Sequence, residues 1–245
     1  DQGGAIVDLR PYAAKLKWEV GIGTKHVQDA SYPFLIQEKY RAGYFTHYAG
    51  EGTVRSAKLT YEGEEVDLCL CRTKAHFSEE ELEGGKKKRI LTLDPVDIEF
   101  HDLTLKLQTR VIFTEGSSDI QIERNILEMS NPEAKVELNE YMVACYGTTE
   151  YPEDMTGITL ACSSADDAKT ISYEYKCREE AMESADSVSA VIPAIETKVS
   201  MSMDKKASKG YVREGYAFSP MFTLGYTTEV SDKEVVSTWL RLEKA

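Results

Sequence analysis

The stretch Leu103-Thr104-Leu105-Lys106-Leu107-Gln108-Thr109-Arg110-Val111-Ile112-Phe113 decides the fold class. Leu103, Leu105, Leu107, Thr109, Val111 and Phe113 alternate with Thr104, Lys106, Gln108, Arg110 and Ile112. Successive side chains of a strand point to opposite faces, so a period of two marks a strand with one buried face. Ala14, Leu16, Trp18 and Val20 alternate in the same way with Lys15, Lys17 and Glu19, and Ile171, Tyr173, Tyr175 and Cys177 with Ser172, Glu174 and Lys176. Further strands are expected at residues 5–9, 34–38, 43–48, 54–61, 65–71, 89–93, 96–101, 119–128, 135–146, 157–163, 198–203 and 221–228. Turn signals separate many of them, among them Tyr61-Glu62-Gly63-Glu64, Gly116-Ser117-Ser118-Asp119 and Ser130-Asn131-Pro132. About fifteen short, closely spaced strands imply an all-β chain of two large stacked antiparallel sheets.

Two segments interrupt the alternation. Residues 78–88, Ser-Glu-Glu-Glu-Leu-Glu-Gly-Gly-Lys-Lys-Lys, set an acidic run beside a basic one, and residues 204–209 are again charged. Both are expected to be solvated loops. One helix is expected, at the end. Ser231-Asp232-Lys233-Glu234 has the form of a capping box, and Val235, Val236, Trp239 and Leu240 then fall on one helical stripe. The expected organisation is a β domain over residues 1–230 and a linker helix over 231–245 leading out of it. The first residue is Asp1, and Asp1-Gln2-Gly3-Gly4 does not resemble a signal peptide. The expectation is a processed product or a piece of something longer, cut near a domain boundary.

Composition excludes several classes of function. The 245 residues are 42% hydrophobic, enough for a core, yet no apolar run approaches the roughly 20 residues that span a bilayer. Lys+Arg number 29 against 42 Asp+Glu, a net charge of −13, which argues against nucleic acid and against an anionic membrane as partners. The five cysteines, Cys69, Cys71, Cys145, Cys162 and Cys177, are odd in number and form no Cys-x-x-Cys pair. They are read as small core residues in a reducing, cytoplasmic compartment, not as a disulfide framework or zinc site. Of the histidines, His26 and His76 are expected at the surface and His47 and His101 at strand ends. No paired histidines, nucleophile elbow, phosphate loop or dinucleotide fingerprint occurs, so neither a metal nor a cofactor is expected.

Residues 32–48 hold the candidate binding chemistry. Six aromatics fall within this segment, interleaved with Glu38, Arg41 and His47. Aromatic rings stack on the C–H faces of sugars, and charged groups bond their hydroxyls. Arg41, Tyr44 and His47 are therefore candidate saccharide contacts; the alternative is that the rings pack between the sheets. A loop after the strand at 135–146 gathers Glu150, Glu153 and Asp154, and Glu150 is the candidate that could reach the same rim. The alternative there is an ordinary solvated loop.

The segment 102–146 also carries a resemblance. The long alternating strand is followed by the turn Gly116-Ser117-Ser118, then Ile120-Gln121-Ile122-Glu123-Arg124-Asn125-Ile126, the turn Met129-Ser130-Asn131-Pro132, and Val136-Glu137-Leu138-Asn139-Glu140-Tyr141. An Arg-bearing strand, a turn and a strand closing on Glu and Tyr resemble the N-terminal supersandwich domain of cellobiose- and chitobiose-phosphorylase-type enzymes, a galactose-mutarotase-like fold. The resemblance covers residues 96–245, and the order of residues in the second turn departs from the family's. It implies a carbohydrate-related, non-catalytic β-sandwich domain of a larger phosphorylase or glycoside hydrolase. A saccharide, a following helical-barrel domain or partner subunit, and a homodimer are the partners it implies. Catalytic residues of such phosphorylases lie in the barrel, so none is assigned here. The alternatives are a stand-alone mutarotase-like sugar epimerase and a structural or interaction module.

Overall fold

The computed structural model describes residues 8–9, 35–36, 55–71, 73–145, 157–174, 176–193, 196–205, 209–216 and 219–245. Eighteen strands form within them. They are β1 (Asp8–Leu9), β2 (Leu35–Ile36), β3 (Arg55–Tyr61), β4 (Glu64–Asp67), β5 (Ala75–Glu81), β6 (Lys87–Leu93), β7 (Val96–Glu99), β8 (Thr104–Thr114) and β9 (Asp119–Met129). The second half adds β10 (Val136–Cys145), β11 (Thr159–Ser163), β12 (Ala168–Ser172), β13 (Glu179–Glu183), β14 (Ser187–Ile192), β15 (Thr197–Met203), β16 (Lys209–Tyr216), β17 (Ser219–Val230) and β18 (Val235–Lys244).

The strands make two antiparallel sheets. An eight-stranded sheet runs β1-β2-β10-β17-β16-β13, with β3 on the same edge of β10 as β2, and β4 on β3. A ten-stranded sheet runs β12-β11-β14-β15-β18-β9-β8-β6-β5, with β7 on β8. The inner faces meet in two apolar clusters. One gathers Leu160, Val188, Val199, Val212, Phe222 and Leu224, the other Leu59, Leu105, Ile126, Val136, Leu138 and Val236. The alternation read over residues 103–113 holds as far as Val111: Leu103, Leu105, Leu107, Thr109 and Val111 are buried, but it breaks at the end of the strand, where Ile112 is buried and Phe113 exposed.

The C-terminal helix is not formed. Residues 231–234 are a turn, and Val235–Lys244 is β18, paired to β15 on one side and β9 on the other in the middle of the ten-stranded sheet. One capping contact still forms locally, the Ser231 amide donating to Glu234 Oε2 at 2.8 Å, while the Glu234 amide donates to the Ser231 carbonyl as in a tight turn. Lys233 takes φ 58°, which turns the chain into a strand instead of a helix. Val235-Val236-Ser237-Thr238-Trp239 is rich in β-branched and aromatic side chains, and pairing on both edges overrides the helical spacing. The stripe expected to leave the sandwich is split: Val236 and Leu240 are core, and Val235 is exposed.

The charged segment 78–88 is likewise not a loop. It is most of the β5–β6 hairpin, turning at Gly84 and Gly85, whose φ values of 81° and 76° suit glycine. Its acidic and basic runs face each other, Glu79 opposite Arg89, Glu80 opposite Lys88 and Glu81 opposite Lys87. Residues 68–70 make a single 3-10 turn, so the strand expected over 65–71 stops at Asp67. Cys177 is exposed and lies beyond β12, so it is neither a strand nor a core residue, whereas Cys162 is core. The strand expectations at 14–20 and 43–48 lie outside the described residues.

Candidate functional site

Polar chemistry collects on the face of the eight-stranded sheet turned away from the core. Strand register defines that face. Met142 and Leu138 point into the apolar clusters, so Asn139 and Tyr141 on β10 point outward. Tyr141 stands opposite Gly225 of β17, and Gly225 opposite Tyr211 of β16. The next row is Asp67, Lys58, Asn139, Thr227 and Lys209, across β4, β3, β10, β17 and β16.

This row is tightly built. The Tyr211 hydroxyl donates to Asn139 Oδ1 at 2.9 Å, and the Tyr141 hydroxyl donates to Asp67 Oδ2 at 3.2 Å. Gly225 has a packing role: a Cβ there would overlap the Tyr211 ring, so the missing side chain lets the ring lie over the sheet. Tyr141 and Tyr211 are only 5% and 9% exposed, yet neither belongs to the apolar clusters. Two aromatic rings, an amide, a carboxylate and an ammonium thus share one sheet face. The polar groups of this set can exchange hydrogen bonds with sugar hydroxyls, whereas rings this buried offer no open face for stacking.

Two glutamates in the sandwich interior have structural surroundings. Arg124 of β9 donates from Nε to Glu140 Oε1 of β10 at 2.6 Å and from Nη1 to Thr109 Oγ1 at 2.9 Å, joining the two sheets. These are the Arg and Glu of the strand-turn-strand resemblance. Glu214 of β16 accepts from the amides of Glu174, Lys176 and Arg178 and from the Arg178 guanidinium. Burial raises its pKa, but those donors outweigh it and leave the carboxyl below its ordinary value. It fastens the loop after β12. Burial pushes the Cys162 thiol up to about 11 and raises that of Cys71, so neither is a ready nucleophile.

Arg41, Tyr44, His47 and Glu150 lie outside the described residues, but the points at which their segments join the sheet do not. Ile36 pairs with Cys145 at the end of β10, and Arg55 pairs with Met142. Residues 37–54 therefore leave and rejoin the chain's described part beside one end of β10, and residues 146–156 follow directly from that end. His76 is exposed, as expected, and meets Asp94 Oδ1 at 2.7 Å. The adjacent cleft, lined by Leu68, Cys71, Thr73, Asp94 and Thr109, has room for roughly one water, too little for a sugar ring. Among the described residues no group of His, Cys, Asp and Glu could hold a metal ion. Single-sequence reading missed Asn139, Tyr141, Tyr211 and Gly225, because only register brings them together; the outward positions of each strand were the available signal.

No protein-family model matches the chain, and no curated protein matches it in sequence. Solved structures match its fold. A galactose mutarotase-like protein from Clostridium acetobutylicum aligns with TM-score 0.54 and 6% identity over 100% of this chain and 91% of its own. A putative aldose 1-epimerase from Escherichia coli gives 0.51 and 7% over 80% and 86%. The α-N-acetylgalactosaminidase NagBb from Bifidobacterium bifidum gives 0.53 and 10% over 77% of this chain but 30% of its own. At such identities the likeness is one of fold: the chain has the galactose mutarotase-like fold, found both in proteins of similar length and within a larger glycosidase.

Proposed function

We propose that this chain is a carbohydrate-binding sandwich, non-catalytic in itself, that holds a saccharide on the outer face of its eight-stranded sheet as part of a larger phosphorylase- or hydrolase-type enzyme. The observation that supports it is the row of Tyr141, Gly225 and Tyr211 with Asn139, Asp67 and Lys58 beside it. The fold occurs in a putative aldose 1-epimerase and in an α-N-acetylgalactosaminidase, where it spans part of the chain. In this reading Arg41, Tyr44, His47 and Glu150 add contacts from the segments that join the sheet beside Cys145 and Met142. One wall of a site contributes part of the contact area, so affinity in isolation is expected to be about millimolar.

The test is an NMR titration with β-linked disaccharides. Shifts are expected at residues 139–141, 209–211 and 225–227, and also at 40–48 and 148–154. Tyr211→Ala removes the phenol that positions Asn139 and should weaken binding about fivefold, the loss of roughly one hydrogen bond. Tyr141→Phe, which keeps the ring, should weaken it less. Saturating tens of millimolar of each sugar without movement on this face would refute the proposal.

The second reading is a stand-alone mutarotase-like epimerase. It is favoured by the match over 91% of the Clostridium protein and by the phenol–carboxylate contact of Tyr141 and Asp67 on the same face. Exchange spectroscopy on glucose and galactose anomers separates the two. Interconversion accelerated over buffer, and lost in Asp67→Asn, would favour the epimerase.

A further inference from the structure

At the far margin of the ten-stranded sheet, β5 has one edge unpaired among the described residues. It pairs with β6, and among the described residues no strand pairs on its other side. All seven residues of β5 are exposed. The direction of its backbone groups follows from two bonds at its ends. The Asp94 amide donates to the Lys74 carbonyl and the Leu82 amide to the Lys86 carbonyl, both in the β5–β6 register. Hydrogen-bonded pairs alternate in an antiparallel ladder, so His76, Ser78 and Glu80 bond β6. Ala75, Phe77, Glu79 and Glu81 then direct their N–H and C=O groups to the unpaired edge.

The side chains on that edge are divided. Phe77 is 64% exposed and stands opposite Leu91; Phe113, 45% exposed, lies two strands away on the same sheet face, opposite Arg89. By register this is the face that carries the buried Leu107 and Val111 further into the sheet. The three glutamates occupy only the C-terminal half of β5. Glu79 is held by Lys87 at 3.1 Å and Arg89 at 2.9 Å, and Glu80 lies 3.9 Å from Lys88. A uniformly acidic edge would repel a copy of itself. This edge is self-complementary when turned antiparallel.

We infer that β5 pairs with β5 of a second copy of this chain about a twofold axis at Ser78. In that register Phe77 opposes Glu79 of the other copy, Ala75 opposes Glu81, and His76 opposes Glu80. The outward-facing residues become the hydrogen-bonded pairs, about eight bonds in all. The two Phe77 side chains become diagonal neighbours, and the patches of Phe77, Leu91 and Phe113 join into one. Sliding the strands by two residues to centre on Glu79 would set carboxylate against carboxylate, which is unfavourable. The charges therefore permit the Ser78 register and disfavour the one centred on Glu79. The edge and patch are small beside the interface of a tight dimer, so dissociation constants of roughly 10–100 µM are expected.

The experiment is sedimentation and amide hydrogen exchange of the full chain across about 1–500 µM. Dimerisation is expected, with protection of the Ala75, Phe77, Glu79 and Glu81 amides rising with concentration. The His76, Ser78 and Glu80 amides should be protected throughout. Phe77→Pro removes an outward N–H on an edge strand, which the monomer tolerates, and should weaken association about tenfold or more. Ala75→Lys should tighten it about threefold by facing Glu81 of the other copy, and Ala75→Glu should weaken it by a similar factor. A chain monomeric at the highest concentration, with the outward amides unprotected, would overturn the inference. So would a dimer indifferent to all three substitutions, or outward amides protected only by an added basic strand peptide.

Discussion

Arg124–Glu140 and Arg178–Glu214 pair the same two chemical groups in two surroundings. In the first, the side chains are 1% and 0% exposed and reach from one sheet to the other. In the second, the carboxylate is equally buried, but its arginine is 41% exposed and three backbone amides share the carboxylate. A charge taken out of water costs several kcal/mol unless it is met by opposite charge and hydrogen bonds. The Arg124–Glu140 pair meets that cost with side chains brought from different sheets. Glu214 meets it mainly with the backbone of a nearby loop. The first pair is thus a test of whether the sheets are stacked correctly, the second of whether one loop is closed.

The largest effect should come from breaking the first pair. Glu140→Ala leaves the Arg124 guanidinium buried and is expected to cost about 3–5 kcal/mol in urea unfolding. Replacing both, Arg124→Met with Glu140→Leu, should recover most of that loss, because an apolar pair needs no compensation. A single substitution costing under about 1 kcal/mol would erase the distinction drawn between the two pairs.

Glu214→Gln should cost about 2 kcal/mol, since the amide keeps the size but turns a donor toward backbone donors. It should also change the acid limb of stability. The carboxyl lies below its ordinary value near 4.5 when folded. Its contribution is therefore complete above the unfolded value and is lost as pH falls through the folded one. Unfolding midpoints recorded from pH 6 downward should show wild type losing stability below about pH 4.5 more steeply than Glu214→Gln. Equal slopes would place the acid sensitivity in other carboxylates.

Arg178→Ala should lower the melting temperature less than Glu214→Gln does, because the amides of Glu174, Lys176 and Arg178 still meet the carboxylate. The smallest effect is expected where both partners are solvated. Arg241 bonds Asp119 at 2.5 and 2.8 Å across β18 and β9, and the guanidinium holds that carboxyl below its usual value. Asp119→Asn should nevertheless cost less than about 1 kcal/mol. A larger loss would show that this pair sets the β18 register.

The two pairs also mark how far local pattern reading reaches. Arg124 and Glu140 belong to the alternating strands on which the resemblance rests, so their segments were legible as strands. That they meet was not, because fifteen residues separate them and the contact crosses between sheets. The polar sheet face was legible in pieces. Asn139 and Tyr141 sit on a strand expected from its alternation, but Tyr211 fell beside a segment read as a charged loop, and Gly225 showed no local sign of the ring above it. The acidic and basic runs of residues 79–89 held the most direct missed signal. Opposite charges flanking Leu82-Glu83-Gly84-Gly85-Lys86 are what a hairpin needs on facing strands.

By itself the sequence determined that this chain folds as antiparallel β layers and, for strands such as β3, β8, β9 and β10, where they lie and which residues share a face. Those properties depend on neighbours one and two positions away, and a period of two expresses them directly. Tertiary structure alone decided that Ser231-Asp232-Lys233-Glu234 leads into a strand. The turn's contacts are compatible with either outcome, and β15 and β9, distant along the chain, supply the hydrogen bonds that β18 completes. It also decided which outward residues share a polar face and, among the described residues, which strand lies at the margin of each sheet. Register between strands fixes those arrangements, and register is a relation between segments that no single segment contains.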